Sequence, residues 1–312
     1  MILNKKRIYT LTAVATGCIA LIVLSIFTGI HSHALAEENE TLKAMNHYSN
    51  ILAPPPLPDE LEFMGEEVPL DDHSVRESLD RELTAICYQH STTLLCLKRS
   101  GRYFPVIEKI LKEEGLPEDF KYLCVTESSL SNAISPAKAV GFWQFLQSTA
   151  QSYGLEVREE VDERYNVEKA TRAACKYLRG SKNRLGSWAL AAAAYNMGEN
   201  GVANSIAAQS VQTYWDTYFN PETARYVFRI LAYKLVFENP HIYGVQITEQ
   251  EKYQPIAYRT DTITSTVPDW YQYCKNQGIT YKQFKEFNPW CRAKRLTVTN
   301  GKSYIIQIPT EK

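Results

Sequence analysis

The chain has 312 residues, 45% of them hydrophobic and 22% charged, enough apolar material for one or two buried cores and too much for a mainly disordered protein. Lysine and arginine number 34 against 35 aspartates and glutamates, which excludes a strongly basic nucleic-acid binder. The charge is uneven, however: residues 37–82 hold 3 basic and 13 acidic groups, 83–251 hold 18 of each, and 252–312 hold 10 basic and 4 acidic. That division suggests an acidic tether, a neutral main domain and a basic C-terminal module.

Lys5, Lys6 and Arg7 precede an apolar run from Ile8 to Ile30, which is followed by Ala34-Leu35-Ala36. Residues 1–36 therefore read as an export signal cut after Ala36, or as an uncleaved anchor attached to the membrane through residues 8–30. Either reading places the body of the protein outside the cytoplasm, in the periplasm or cell envelope. Six cysteines follow Cys18 in the chain: Cys87, Cys96, Cys124, Cys175, Cys274 and Cys291. An even number in an exported chain permits disulfides, and proximity would pair Cys87–Cys96, Cys124–Cys175 and Cys274–Cys291. Buried free thiols are the alternative. Neither Cys-x-x-Cys nor a His-rich ligand spacing occurs, so no metal or other cofactor is expected.

Residues 37–82 are acidic and contain Pro54-Pro55-Pro56-Leu57-Pro58, the composition of a semi-rigid solvated linker. Residues 83–245 carry a helical pattern and read as an all-helical domain. Pro105 opens one helix, which Gly115 closes, and Pro117 opens the next. Further helices are predicted over 144–153, 166–178, 187–197 and 222–237, with Glu222 capping the last. Residues 253–312 change character: short strands over 263–267 and 303–308 flank two short helices over 270–276 and 281–287. The fold class is mainly α, with a small β-α-α-β unit at the C-terminus.

One residue sits oddly for a core. Phe120, Cys124 and Glu127 fall at i, i+4 and i+7, which puts Glu127 on the apolar side of its helix. Burial there makes ionisation costly and raises the carboxyl pKa toward working pH, the setting of a general acid. A structural carboxylate paired with an arginine is the competing reading. The segment continues Glu127-Ser128-Ser129-Leu130, then reaches Gly141-Phe142-Trp143-Gln144. Two later blocks are Ala193-Ala194-Tyr195-Asn196-Met197-Gly198 and Glu222-Thr223-Ala224-Arg225-Tyr226-Val227.

These three ordered blocks resemble the soluble-lytic-transglycosylase (SLT) domain of glycoside hydrolase family 23, which cuts peptidoglycan glycan strands. Ala137 stands where that pattern favours Gly, and Met197 where it favours Ala. The overall arrangement is most similar to membrane-bound members that join this domain to C-terminal LysM modules. The resemblance implies a lysozyme-like helical fold and cleavage of the MurNAc-β-1,4-GlcNAc bond without water. Glu127 would act as acid and then base, closing the MurNAc O6 onto C1 to give a 1,6-anhydro end. Ser128 would support Glu127, Gln144 and Asn196 would hold sugar or amide groups, and Tyr195 and Tyr226 would bring hydroxyls near the acid. Ordinary glycosidases use two carboxylates. Asp162 and Glu163 are the nearest acidic cluster, and as a run they read more simply as a solvated loop or cap. Residues 253–312, with Phe287-Asn288-Pro289 and Ile306-Gln307-Ile308-Pro309, resemble a degenerate LysM domain, a binder of N-acetylglucosamine chains. The alternatives are a goose-type lysozyme-like hydrolase and a non-catalytic peptidoglycan-binding protein.

Overall fold

Asp72 begins the first long helix by accepting the Ser74 and Val75 N–H groups on its carboxylate, an N-cap that satisfies otherwise unpaired donors. The computed structural model describes residues 53–299 and 301–310. In chain order these form β1 (Glu62–Phe63), β2 (Glu66–Glu67), α1 (His73–Tyr88), α2 (His90–Glu113), α3 (Phe120–Ser128) and α4 (Gln147–Ser152). There follow α5 (Val167–Leu185), α6 (Trp188–Met197), α7 (Glu199–Gln209) and α8 (Pro221–Glu238). The C-terminal module is β3 (Tyr258–Ile263), α9 (Trp270–Gln277), α10 (Tyr281–Phe287) and β4 (Tyr304–Pro309). The fold is mainly helical, with a β-α-α-β module as the sequence predicts.

Helix α8 is the central element. It packs on α1, α3 and α6, while α5 joins α2 to α6. Its apolar residues Val227, Ile230, Leu231 and Val236 are fully buried. Asn220 caps it and Pro221 occupies its first turn, where a missing N–H costs nothing. Glu222, expected as the cap, instead pairs with Arg229 at 3.1 Å.

Several expectations are corrected. The linker predicted over 37–82 is corrected from Leu61 onward, because Leu61, Phe63, Met64, Val68, Leu70, Val75 and Leu79 are all buried in the main core. Their partners lie far away in the chain, so composition averaged over this stretch concealed them. Glu66 accepts the Trp188 N–H at 2.6 Å and the Ala189 N–H at 3.3 Å, which caps α6 from outside. The Met64 N–H reaches Asp119 Oδ2 at 3.1 Å. Pro105 lies inside α2 rather than at its start. The lost backbone bond is outweighed by burial of both halves, through Cys96 and Leu97 on one side and Ile107, Ile110 and Leu111 on the other. The first strand of the module starts earlier than predicted and pairs Ile263 with Tyr304. Val267 forms an isolated bridge with Leu296 instead. All six described cysteines are buried free thiols, so none of the three proximity pairs forms.

The predicted signal or anchor, residues 1–36, and the start of the linker lie outside the described residues. Among the described residues no helix is long and apolar enough to cross a membrane. Phe63 is completely buried, so Phe63→Ala is expected to lower the unfolding free energy by about 3–5 kcal/mol. Urea unfolding with an unchanged midpoint would show that this segment does not dock.

Candidate active site

Helix α3 ends one residue past Glu127, and two consecutive residues, Ser129 at φ 53° and Leu130 at φ 54°, turn the chain sharply away. Left-handed backbone at non-glycine residues is unusual, and here it starts the loop that runs to Gln144. Ser128 supports this turn: its hydroxyl donates to the Cys124 carbonyl at 3.3 Å and accepts from the Ser131 N–H at 3.4 Å. Both of its bonds are to backbone groups rather than to the Glu127 carboxylate.

The loop folds back on itself. Val140 and Phe145 exchange backbone bonds at 3.1 and 3.2 Å, and the Gly141 N–H donates to the Ala133 carbonyl at 2.9 Å. Gly141 has φ +85°, and a Cβ built there would lie 2.0 Å from the Arg164 carbonyl oxygen, so backbone meets backbone. Gln144 turns inward to its own loop, donating to the Ala133 and Gly141 carbonyls at 3.0 and 2.7 Å. Trp143 is fully buried; its indole N–H donates to Thr171 Oγ1 on α5 at 2.8 Å.

Three tyrosine and acid positions converge on this loop. The Tyr226 hydroxyl on α8 donates to Glu127 Oε1. The Tyr195 hydroxyl at the end of α6 donates to the Trp143 carbonyl at 2.7 Å, and the Glu127 charge helps burial hold the Tyr195 phenol well above its usual range. Asn196 accepts a bond from the Thr223 hydroxyl at 2.8 Å, and Thr223 is itself held by the Asn220 amide at 3.0 Å. Glu127, Tyr195 and Tyr226 are thus brought together, while Asn196 and Gln144 are engaged in holding α8 and the loop.

Burial pushes the Glu127 carboxyl up from 4.5 to about 7; the Tyr226 bond and the Arg229 charge pull against it, and the Glu222 charge adds to it. Its hydrogen-bond partner is a neutral phenol. The other acids nearby are paired with cations. Asp162 holds Arg164 at 2.9 and 2.7 Å through both oxygens, and Glu163 takes Lys169. Both are buried, which corrects the solvated-loop half of the reading, while Asp162 does act as a cap, accepting the Arg164 N–H at 3.2 Å ahead of the short turn Glu163–Tyr165; both carboxylates are thus engaged. Glu82, also buried, holds Arg225 at 2.6 Å and Arg81 at 3.0 Å.

The sequence reading missed Thr223 and the Trp143 carbonyl. Thr223 stands three residues before Tyr226 on the same helical face, a spacing that could have flagged it; a backbone acceptor leaves no such signal. Among the described residues no three His, Cys, Asp or Glu side chains converge as a metal site would require. A surface hollow of about 800 Å³ lies on the C-terminal module, lined by Arg259, Lys275, Thr280 and Thr310 among others.

Residues 104–217 match the family model of the Transglycosylase SLT domain, and residues 259–312 match that of the soluble lytic transglycosylase C-terminal LysM-like domain. The chain is 28% identical over 253 residues to membrane-bound lytic murein transglycosylase D of Escherichia coli K12, covering 78% of this chain and 54% of that protein. The same values hold for the protein of that name in Escherichia coli O6:H1. The chain spans about half the length of these curated relatives.

The Glu127 carboxyl carries a sign that stability can report. An unfolded chain ionises it near 4.5 and the folded protein near 7, so folding stability falls as pH rises through that window. Glu127→Gln removes the penalty and is expected to stabilise the fold by up to about 3 kcal/mol near pH 8, with no gain near pH 4. Urea unfolding at both pH values tests this; an equal gain at both would show that the carboxyl is not raised.

Proposed function

We propose that this chain, which carries an SLT domain followed by a LysM-like module, is a peptidoglycan lytic transglycosylase of the cell envelope. It would cut the MurNAc-β-1,4-GlcNAc bond of glycan strands and leave 1,6-anhydro-MurNAc ends. The observation that carries this reading is the raised carboxyl of Glu127, bonded to Tyr226, while among the described residues Asp162, Glu163 and Glu222 are each held in an ion pair.

The chemistry follows from that arrangement. A carboxyl titrating near 7 is protonated in a useful fraction and can give its proton to the leaving GlcNAc oxygen. The resulting carboxylate can then take the proton from the MurNAc O6 hydroxyl as that oxygen closes onto C1. The positive character that develops at C1 is met by the substrate's own N-acetyl group, a known exception to the two-carboxylate scheme. Ring closure is intramolecular, so proximity replaces a bound water as the source of the nucleophile. Tyr226 would favour the carboxylate form after the first transfer, because its hydroxyl donates to that oxygen. Tyr195, bonded to the Trp143 carbonyl, would close the other side of the acid. Gln144, Asn196 and Ser128 would contribute by fixing the backbone around the bound sugar. Peptidoglycan is the partner this reading requires, and membrane attachment is consistent with the apolar run 8–30.

Mass spectrometry of muropeptides released from purified sacculi by the full chain tests the reading. Products lighter by one water than those of a lysozyme are expected, and Glu127→Gln should lower their rate of release by about 10²–10⁴-fold. Reducing-end products would instead identify a hydrolase of the goose-lysozyme type. Digestion by the variant equal to wild type would remove Glu127 from the chemistry.

A further inference from the structure

The C-terminal module does not stand apart from the helical domain. Its core includes three residues of that domain, Val140, Val161 and Tyr165, packed with Trp290, Cys291, Leu296 and Tyr304. Val161 bridges Cys291 as a strand would, and the Asp162 N–H donates to the Trp290 carbonyl at 2.9 Å. The Arg292 guanidinium lies 4.1 Å over the Tyr165 ring, and its backbone N–H donates to the Glu160 carbonyl at 2.8 Å. The connection itself is pinned: the Tyr253 N–H donates to the Lys98 carbonyl of α2 at 2.7 Å, and a Cβ at Gly101 would sit 2.8 Å from Lys252 Cβ.

At the centre of this contact is Glu160. Its buried carboxylate accepts the Thr297 N–H at 2.7 Å and the Thr297 hydroxyl at 3.0 Å, with Arg295 at 2.9 Å and Arg158 at 2.6 Å. Four donors from two parts of the chain make a fully satisfied ionic network, the kind that fixes one geometry. Residues 156–165 are therefore a ledge, held from one side by the module.

On its other side the same ledge carries the loop of the candidate site. Arg164, clamped by Asp162, donates to the Phe145 carbonyl at 3.1 Å and the Lys138 carbonyl at 3.4 Å. Gly141 lies directly against the Arg164 carbonyl, and Val140 is shared with the module's core. Between Gly141 and Phe145 sits Trp143, whose carbonyl fixes Tyr195 beside Glu127.

We propose that the module braces the catalytic loop through this ledge, and that Glu160 is a positioning residue for the reaction although it lies outside the acid's surroundings. The inference rests on the transglycosylase reading for its kinetic consequences. It assigns the module's 290–297 segment to the helical domain itself, so glycan binding by the module, if it occurs, uses another face.

The test compares full-length wild type with Glu160→Ala by two readouts: the pH at which the Glu127 carboxyl titrates, followed by carbon-13 NMR, and the separate values of kcat and KM on glycan strands. With the brace loosened, water reaches the acid, and its titration should move down by about one pH unit or more toward the ordinary carboxylate range. The kcat should fall at least about tenfold with KM little changed, as expected for lost positioning. A folded variant that melts earlier yet titrates and turns over like wild type would overturn the proposal, leaving Glu160 a purely structural group. A variant with raised KM and unshifted titration would also overturn it, in favour of glycan capture by the module. Should Glu160→Ala fail to fold, Arg292→Ala removes the Tyr165 contact while leaving the Glu160 network in place, and the same readouts decide. Failure of the transglycosylase reading is distinguishable: wild type would release no anhydro products, while the NMR titration would still report on the brace.

Discussion

The bond from the Tyr226 hydroxyl to the Glu127 carboxylate joins the last turn of α3 to the second turn of α8, and most of the helical domain is arranged so that it can form. Helix α8 reaches that position because it is buried along nearly its whole length, against α1, α3 and α6. Helix α1, in turn, belongs to a stretch whose acidic composition disguises its part in the core. Its Glu82 is the buried anchor for Arg225, on the same helix as Tyr226. The N-terminal hairpin then caps α6 through Glu66 and so orients the helix that ends in Tyr195. A carboxylate and a phenol brought from 99 residues apart thus depend on elements at both ends of the described domain.

Two buried glutamates, Glu82 and Glu160, and the half-buried Glu127 show how surroundings, not residue type, set the chemistry. Glu82 and Glu160 both lose hydration, yet their arginine and hydroxyl partners more than compensate; Glu82 is held below its ordinary range and Glu160 is drawn down to about 2. Such groups stay charged at any working pH and act as fixed structural points. Glu127 has a phenol where they have guanidinium groups, so burial wins and its proton is held until about pH 7. The distinction matters because a carboxylate locked in an ion pair cannot deliver a proton. Asp162 and Glu163 are likewise engaged in ion pairs, with Arg164 and Lys169, so both carboxylates are held by neighbouring cations rather than turned toward a substrate.

Much of this was legible in the sequence, and the reasons for what was not are physical. The spacing of Phe120, Cys124 and Glu127 identifies the odd acid because helical periodicity is local information. The starts predicted at 166, 187 and 281 fall within a residue of the helices observed, where Asn166, Ser187 and Thr280 cap them, again through local chemistry. What escaped depends on partners distant in the chain. Phe63 and Leu70 look like isolated apolar residues in an acidic stretch until the core they enter is assembled. Pro105 reads as a helix start because its lost bond is local and the burial that offsets it is not. The roles expected for Gln144 and Asn196 are at sugar groups; in the structure the Gln144 amide N–H groups also bond the Ala133 and Gly141 carbonyls, and Asn196 Oδ1 accepts from Thr223. These bonds tie Gln144 to its own loop and Asn196 to α8, contacts that no motif states.

The single-acid arrangement also explains why the loop needs so much support. With two carboxylates, protonation of the leaving oxygen and stabilisation at C1 are divided between two side chains. In the proposed reaction Glu127 must serve the leaving oxygen and then the O6 hydroxyl, so one side chain has to be within reach of two atoms in succession. Small displacements of that side chain, or of the tyrosines beside it, would weaken both proton transfers at once. A loop starting from two left-handed residues and passing a glycine with no room for a Cβ has little freedom to drift, but its own short backbone bridges are few. The rigidity has to be supplied from behind, by Thr171 to the Trp143 indole and by Arg164 to the Phe145 carbonyl. Arg164 is itself positioned by a ledge that the C-terminal module completes. In this chain the module and the acid therefore belong to one continuous set of contacts, and the number of carboxylates in the site and the docking of the module are two consequences of the same demand for fixed geometry.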